Sequence, residues 1–133
     1  MIGHYLTFNG CCAQALATYE KAFGAKIIET QKYKDLPPGS NFSATKTDDL
    51  VLHARITING SEVICVDSSE SVQSGSNTFL NITSTDIDMI QKAWDILARG
   101  GEIFTELEPS FFAQLDGSLK DKFGINWIFS VPR

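Results

Sequence analysis

The order of hydrophobic and polar residues predicts a strand and then a helix at the start of the chain. HYLTFNG has the composition of a short strand that ends in a turn. In the next segment, CCAQALATYEKAFG, apolar residues recur at helical spacing, at Ala15, Leu16, Tyr19 and Phe23. Gly24 stands where helices commonly end in a left-handed residue, so the helix is predicted to stop there.

Three further strands are predicted in the first half of the chain. The first is AKIIETQKYK, and the next two, VLHARITI and SEVICVD, are joined by Asn59-Gly60, a strong hairpin signal. Between the first and second of these strands, DLPPGSNFSATKTDDL is rich in proline, glycine and small polar residues, so a loop is expected there. A Ser/Gly-rich linker, SSESVQSGSN, follows the third strand.

The same order of elements returns after the linker. NTFLNI is predicted to be a strand and STDIDMIQKAWDILARGG a helix that is capped by Ser84 or Thr85 and ended by Gly100-Gly101. EIFTEL, FFAQLD and NWIFSV are further predicted strands, and GSLKDKFGI joins the last two. Within that junction, a Gly-x-x-x-Asp-x-Phe-Gly pattern is expected to set the register of the last strand and to keep Trp127 in the core.

The repeated order predicts an α+β fold of two tandem βαβββ modules in a single domain. The first module covers about residues 1–68, the linker about residues 69–76 and the second module about residues 77–133. Two such modules would place both helices on the outer face of a curved mixed sheet and leave the other face as a cup. A chain of 133 residues is long enough to bury a proper core.

The charge balance and the cysteines narrow the class of protein. A net charge of −5 argues against nucleic acid and against an anionic membrane surface as partners. No apolar run approaches the roughly 20 residues of a membrane helix, and MIGHYLTFNG lacks the features of a signal peptide. The odd number of cysteines favours reduced thiols and a cytoplasmic location. Cys11 and Cys12 are either a redox pair or small residues that open the helix.

Four stretches carry a resemblance that runs through nearly the whole chain: YLTFNGCCAQALATYEKAFG, LHARITINGSEVICVD, GGEIFTELEP and GSLKDKFGINW. Together they resemble the vicinal oxygen chelate superfamily of glyoxalases, extradiol dioxygenases and bleomycin-resistance proteins. The match is closer to its PhnB-like branch, which carries the label demethylubiquinone methyltransferase-like. The sequence has no glycine-rich loop after its first strand to hold a nucleoside cofactor, so nothing in it points to methyl transfer.

The resemblance also implies where a metal ion would be held. Metal-dependent relatives use four His, Gln or Glu side chains, and by register those positions fall on His4, Arg55, Asn77 or Thr78, and Ile128. Only His4 is a good ligand, because Arg55 stays protonated with no lone pair to offer and Ile128 has no donor atom. No metal ion and no other cofactor are therefore expected.

The candidate residues of the cup each have a structural alternative. His4 either orients a ligand or ends a strand, and His53 either faces the pocket or is buried and bonded to backbone. Arg55 either holds a carboxylate or phosphonate through a two-point hydrogen bond or forms a salt bridge to a neighbouring strand. Phe111 either rims the cup or contacts a second chain. The candidate ligand-binding set is His4, His53, Arg55, Asn77, Asn126, Ile128 and Phe111.

Three functions are compatible with these residues. The leading one is a metal-free protein that binds a small molecule in the cup. The second is a metal-dependent lyase, isomerase or dioxygenase with an atypical site. The third is a metal-free catalyst in which His4 or His53 acts as a general base. A homodimer is expected, because paired modules complete the cup in this superfamily and the linker is long enough for modules to exchange between chains.

Overall fold

A computed structural model describes residues 1–35, 50–68 and 70–133 of the chain. The chain divides into two compact units: unit 1 comprises Met1–Glu20 and Gly24–Val72, and unit 2 comprises Lys21–Phe23 and Gln73–Arg133. The loop predicted between the second and third strands lies almost entirely outside the described residues. Within the described ranges, no helix is long and apolar enough to cross a membrane.

Unit 1 contains the first module. Its elements are β1 (His4–Phe8), α1 (Cys12–Phe23), β2 (Lys26–Lys32), β3 (Val51–Ile58) and β4 (Ser61–Asp67), although the last three residues of α1 are grouped with unit 2. The strands form one sheet in the order β1-β4-β3-β2. β1 runs parallel to β4, and the other neighbouring strands are antiparallel.

Two turns of unit 1 confirm their sequence signals. α1 ends at Gly24, whose φ of 62° is left-handed and therefore favours glycine. Asn59 and Gly60 join β3 to β4 with φ values of 48° and 85°. Positive φ at both positions is the conformation that a two-residue hairpin turn requires.

A buried carboxylate joins the start of α1 to the sheet. Asp67, at the end of β4, is 4% exposed. Its Oδ1 accepts a hydrogen bond from the backbone N–H of Cys12, and its Oδ2 accepts one from the N–H of Val51, both at 2.9 Å. The side chain of Cys11, at the N-cap position, makes no capping hydrogen bond. The first amides of a helix have no acceptor within the helix. For Cys12 of α1, Asp67 of β4 supplies that acceptor.

The two buried thiols of unit 1, those of Cys12 and Cys65, are packing groups. Cys12 and Cys65 are fully buried and free of disulfides, and Cys11 is partly exposed. Burial raises the pKa of both buried thiols, that of Cys65 to about 12. They stay protonated at neutral pH, where the reactive species would be the thiolate. For Cys12 this favours the role of a small residue that opens the helix over that of a redox partner.

Unit 2 contains the second module. Its elements are β5 (Leu80–Thr83), α2 (Ile87–Ala98), β6 (Glu102–Glu108), β7 (Ala113–Lys120) and β8 (Asn126–Pro132). The strands form one sheet in the order β5-β8-β7-β6, in which β5 runs parallel to β8. The predicted α+β fold of two βαβββ modules is confirmed.

The N-cap of α2 lies one residue after Thr85 and two residues after Ser84, the two positions that the sequence suggested. Asp86 is the N-cap, and its Oδ1 accepts a hydrogen bond from Met89 N at 3.1 Å. Ser84 instead accepts a hydrogen bond from the N–H of Asp86 at 3.1 Å. The expected cap at Ser84 or Thr85 is therefore wrong, because Asp86 provides the same oxygen acceptor at the position where the helical backbone begins.

Gly117 belongs to a strand and not to the junction between the last two strands, because β7 continues to Lys120. A Cβ atom on Gly117 would lie 2.8 Å from Leu107 Cα and 2.9 Å from Leu107 N. The close approach of β6 therefore requires glycine at this position, and only the second half of the Gly-x-x-x-Asp-x-Phe-Gly pattern forms the turn.

That turn is organised by Asp121, which is 3% exposed. Its Oδ1 accepts hydrogen bonds from Phe123 N at 2.9 Å and Ile125 N at 3.1 Å. Its Oδ2 accepts a third from the indole Nε1 of Trp127 at 2.9 Å. Gly124, with a φ of 92°, supplies the left-handed residue of the turn. One carboxylate thus ties the turn to the strand that follows it.

The core of unit 2 is aromatic. Trp127 and Phe129 are fully buried, whereas Ile128 between them is half-buried. The ring of Trp94 in α2 meets Phe129 edge-on at 5.7 Å between centroids, and Phe23 lies 5.1 Å from Trp127. The prediction that Trp127 lies in the core is confirmed.

Candidate functional site

Among the described residues, no helix packs on one face of the sheet of unit 1, and this helix-free face carries several candidate residues. In β3, Ala54 and Ile56 are fully buried, whereas His53 and Arg55 are half-buried. Phe8 lies on the opposite face, where its ring approaches Tyr19 of α1 at 6.5 Å between centroids. Because successive side chains of a strand point to opposite faces, His53 and Arg55 share the face away from α1.

A single row of paired residues crosses this face. Arg55 pairs with Ile64 of β4 and with Glu29 of β2, and Ile64 pairs with Tyr5 of β1. Directly paired residues of neighbouring strands present their side chains on the same face. Tyr5, Ile64, Arg55 and Glu29 therefore lie side by side across all four strands of unit 1.

Arg55 is held by two carboxylates. Its Nη2 lies 3.3 Å from Glu29 Oε2, and its Nη1 lies 3.4 Å from each carboxylate oxygen of Glu62. The hydrogen bond to Glu29, the attraction of its charge and the same two effects from Glu62 raise the pKa of Arg55. The guanidinium therefore stays charged, and one positive charge faces two negative charges. Of the two alternatives for Arg55, the structure shows the salt bridge to neighbouring strands.

His53 extends this group along the same face. It pairs with Gln31 of β2, and its Nδ1 lies 3.8 Å from Glu29 Oε1. That distance is too long for a hydrogen bond, so the contact becomes an ion pair only when the imidazole is protonated. The side chains of His53 and Glu29 are 36% and 43% exposed, which leaves both accessible to a ligand.

His4 lies on the other face of the sheet. It pairs with Val63 of β4, and it is four residues before Phe8 in the same strand, so both side chains point to the face that α1 covers. The Nδ1 of His4 is 3.2 Å from the carbonyl oxygen of Glu62. The parallel pairing of β1 with β4 brings Tyr5, not His4, into the row of Arg55. The expectation that His4 and His53 both line the cup is therefore not met, because a register shift of one residue exchanges the two faces of a strand.

Tyr5 was not among the sequence candidates, although it is 62% exposed on the helix-free face. The signal was present, since a large aromatic residue next to His4 in a predicted strand must occupy the face that His4 does not. Deciding between the two faces required the pairing of β1 with β4, which joins residues about sixty positions apart in the chain.

The helix-free face of unit 2 carries a second row. Ile128 of β8 pairs with Asn81 of β5 and with Ser118 of β7, and Ser118 pairs with Thr105 of β6. Ile128 therefore lies on the face away from α2, as expected of a lining residue. Asn81 takes the place in this row that the sequence assigned to Asn77 or Thr78.

The other candidates of unit 2 have different environments. Asn77 is exposed in the segment before β5, and Phe111 is 92% exposed in the connection between β6 and β7. Asn126 is 7% exposed, and its Nδ2 donates hydrogen bonds to the carbonyl oxygens of Gly75 at 2.9 Å and Thr78 at 3.0 Å. Asn126 thus holds the segment that leads into β5.

The side chains at the positions implied for a metal ion do not fit one. Arg55 is a paired guanidinium, Ile128 is a hydrocarbon, and His4 faces the side of its sheet on which α1 packs. Among residues 1–35, 50–68 and 70–133, no group of three or more His, Cys, Asp or Glu side chains is placed to hold a metal ion. Divalent ions in proteins are usually held by at least three such donors.

Both the sequence and the fold match known proteins. A family profile described as 3-demethylubiquinone-9 3-methyltransferase matches residues 1–130. Protein YjdN of Escherichia coli (strain K12) is 28% identical over 137 residues, which cover 97% of this chain and 93% of that protein.

Two solved structures resemble the chain over nearly its whole length. The PhnB protein from Bacillus cereus, named for 3-demethylubiquinone-9 3-methyltransferase, aligns with a TM-score of 0.81 and 27% identity over 98% of both chains. A glyoxylase/bleomycin resistance protein/dioxygenase domain from Frankia sp. EAN1pec aligns with a TM-score of 0.68 and 13% identity over 100% of this chain and 98% of that one. At that identity the second match shows the fold alone.

Proposed function

The chain belongs to the family described as 3-demethylubiquinone-9 3-methyltransferase, the PhnB-like branch of the vicinal oxygen chelate superfamily, and on that premise we propose that it binds a small organic molecule without a metal ion. The observation that carries this proposal is the row of Tyr5, Ile64, Arg55 and Glu29 on the helix-free face of unit 1. This row combines the exposed ring of Tyr5 with the charged groups of Arg55 and Glu29, whose side chains are 34% and 43% exposed. Binding sites for small molecules join apolar surface to a few fixed polar groups in this way.

The charges of this row favour a ligand that donates hydrogen bonds or carries a positive charge. The two carboxylates of Glu29 and Glu62 outnumber the guanidinium of Arg55, so the group has one net negative charge when His53 is neutral. An anion would have to compete with both carboxylates for Arg55. A cationic group, by contrast, finds two carboxylates and the ring face of Tyr5, which attracts cations through its quadrupole. The proposed ligand is therefore an amine or a related donor, and not a carboxylate or phosphonate.

Methyl transfer, which the family description names, is not part of this proposal. A nucleoside cofactor is commonly held by a glycine-rich turn between a first strand and the helix that follows it. In this chain that connection is Asn9-Gly10-Cys11, and it contains a single glycine. The polar groups of the helix-free face of unit 1 suit the binding of a ligand and do not by themselves supply a methyl donor.

We also propose that the protein is a cytoplasmic homodimer. The three free cysteines support a reducing compartment, because oxidising compartments favour disulfides. The exposed aromatic pair Phe111 and Phe112, whose rings meet edge-on at 5.4 Å, supports a contact with a second chain. Large exposed aromatic residues of this kind are enriched where proteins associate.

The charge preference of the binding site is tested with two matched probes, benzylamine and benzoate. In a thermal-shift titration, benzylamine should raise the melting temperature of the wild-type protein and benzoate should not, because a ligand stabilises the state that binds it. Glu29→Gln should reduce the benzylamine shift by removing one carboxylate from Arg55 and His53. Glu106→Gln, an exposed position on β6, is the matched control and should leave the shift unchanged. A larger shift with benzoate, or equal loss in both variants, would refute the proposal.

A further inference from the structure

A buried amide oxygen in unit 2 has no hydrogen-bond partner. Asn126 is 7% exposed, and its Oδ1 is the buried side-chain acceptor left unpaired among the residues that the structure describes. Its Nδ2 is fully engaged by the carbonyl oxygens of Gly75 and Thr78, so the orientation of the amide is fixed. Buried polar atoms of native proteins are almost always paired, and each exception needs an explanation. Asn126 Oδ1 is therefore an acceptor that no donor among the described residues satisfies.

The neighbours of Asn126 show what kind of donor fits. Asn126 alternates with the core residue Trp127, so its side chain starts on the helix-free face, as does that of Ile128 two residues later. Lys120 of β7 lies directly opposite Asn126. Glu102 of β6 lies opposite Lys120 on its other side, but among the described residues no ion pair joins the two side chains. The Lys120 ammonium can only donate hydrogen bonds. An acceptor and a cationic donor thus stand side by side, with an apolar side chain next to them.

We propose that Asn126 and Lys120 form a binding site for a small molecule that carries an amide-like edge, in which an N–H lies beside a C=O. The N–H of such an edge donates to Asn126 Oδ1, and its carbonyl oxygen accepts from the Lys120 ammonium. A free amine satisfies only the first contact and is repelled by Lys120. A carboxylate satisfies only the second and offers no donor to Asn126. The pair therefore selects primary amides, lactams or imides over simple amines and acids.

The segment of residues 74–79 covers this site. It is tied down by side-chain hydrogen bonds, from Ser74 Oγ to Gly124 O at 2.6 Å and from Asn126 Nδ2 to Gly75 O and Thr78 O. At its end, Phe79 packs edge-on against Phe104 of β6 at 6.0 Å between ring centroids. In the described part of the segment no backbone–backbone hydrogen bond supports it. A ligand gains access to Asn126 by displacing this cover, and the two phenylalanine rings supply apolar surface for an aromatic body.

This inference is independent of the proposed function, because it concerns other residues in unit 2 and a neutral ligand instead of a cation. The two are distinguished by their probes and variants. Benzylamine and Glu29→Gln report on the row in unit 1, whereas benzamide and Lys120→Met report on the pair in unit 2.

The test is a titration of the ¹⁵N-labelled full chain with benzamide and with methyl benzoate, followed by ¹H–¹⁵N NMR. Methyl benzoate keeps the ring and the carbonyl group but has no N–H. Benzamide should shift the side-chain amide of Asn126 and the backbone amides of Gly75 and Thr78, and should bind at least about tenfold more tightly than the ester, in the millimolar range or better. Lys120→Met should weaken the binding of benzamide by about tenfold. Away from the substituted residue, the spectrum of the free variant should match that of the wild-type protein.

Lys122→Met is the matched control, because Lys122 lies in the turn over the ring of Phe123 at 5.3 Å and not opposite Asn126. Asn126→Ala should abolish the preference for benzamide over the ester; if that variant does not fold, Lys120→Met decides. Equal binding of amide and ester, no response to either probe, or equal effects of Lys120→Met and Lys122→Met would each overturn the site, leaving Asn126 as a clamp for the segment before β5.

Discussion

The carboxylate of Asp121 accepts a hydrogen bond from the indole of Trp127 at 2.9 Å, and so joins the β7–β8 turn to a fully buried tryptophan. The same carboxylate also accepts the backbone N–H groups of Phe123 and Ile125. The aromatic core and the conformation of the turn therefore depend on one buried charged group. Such a group forms stronger hydrogen bonds than a neutral acceptor.

Asp121→Asn should lower the free energy of unfolding by roughly 1.5–3 kcal/mol, because asparagine has one oxygen for three donors and turns an N–H₂ group toward a donor. Urea denaturation measures the change. Asp95→Asn on α2 is the control, since its oxygen can still accept from Gln91 Nε2, as it does at 3.2 Å. Equal stability of the two variants would show that the turn does not need the charge.

Trp127→Ala should cost about 3–5 kcal/mol of stability, because it removes a large side chain from a core that cannot collapse fully around the cavity. Ile128→Ala should cost less, since Ile128 is half-buried on the helix-free face whereas Trp127 is 0% exposed. Both are measured by chemical denaturation. An equal or larger loss at Ile128 would mean that the faces of β8 are assigned in reverse.

Arg55→Met should leave the fold intact, because an ion pair with half-exposed partners contributes little to stability. It should strengthen the binding of benzylamine and weaken any binding of benzoate, since Glu29 and Glu62 lose their counter-charge. Calorimetric titration of both probes measures the change. Arg99→Met, an exposed residue at the end of α2, is the matched control. Weaker benzylamine binding in Arg55→Met alone would show that the guanidinium itself contacts the ligand.

Purified protein should carry no stoichiometric transition metal, because Arg55 and Ile128 offer no donor atoms and His4 faces the other side of its sheet. Elemental analysis is the direct measurement. About one equivalent of nickel, zinc, iron or manganese, lost in His4→Ala, would restore the alternative of a metal-dependent lyase, isomerase or dioxygenase.

The protein should sediment as a dimer at micromolar concentration. Phe111→Ser should shift the equilibrium toward the monomer if the exposed ring, which is 92% accessible in the single chain, contributes to the contact. Glu106→Gln, an exposed residue on the neighbouring strand, should not change it. A monomer at every concentration tested would contradict the proposed homodimer.

The succession of elements was predictable because it rests on local signals. Helical spacing, the glycine after α1 and the Asn59-Gly60 turn each act over a few residues, and all three were read correctly. The faces of β1 were not predictable in the same way. Whether His4 or Tyr5 joins Arg55 depends on the register of β1 against β4, which no local signal specifies.

The candidate site was predictable only in part for the same reason. The sequence left two roles open for Arg55, a contact with an anionic ligand or a salt bridge to a neighbouring strand. It could not decide between them, because the partners of Arg55 come from β2 and β4, on either side of β3. Asn126 was selected as a lining residue, whereas its hydrogen bonds to Gly75 and Thr78 appear only once the chain has folded back. Local sequence patterns do not predict the environment of a side chain whose contacts come from residues far away in the chain.

The position of Asp67 has a consequence for the order in which unit 1 loses its structure. The N–H groups of Cys12 and Val51 end on the two oxygens of this one carboxylate. Neither amide can open to solvent for long without disturbing the acceptor of the other. Their hydrogen exchange should therefore be governed by a single opening event, so that the start of the helix and the start of β3 form one cooperative unit, although the residues are far apart in the chain.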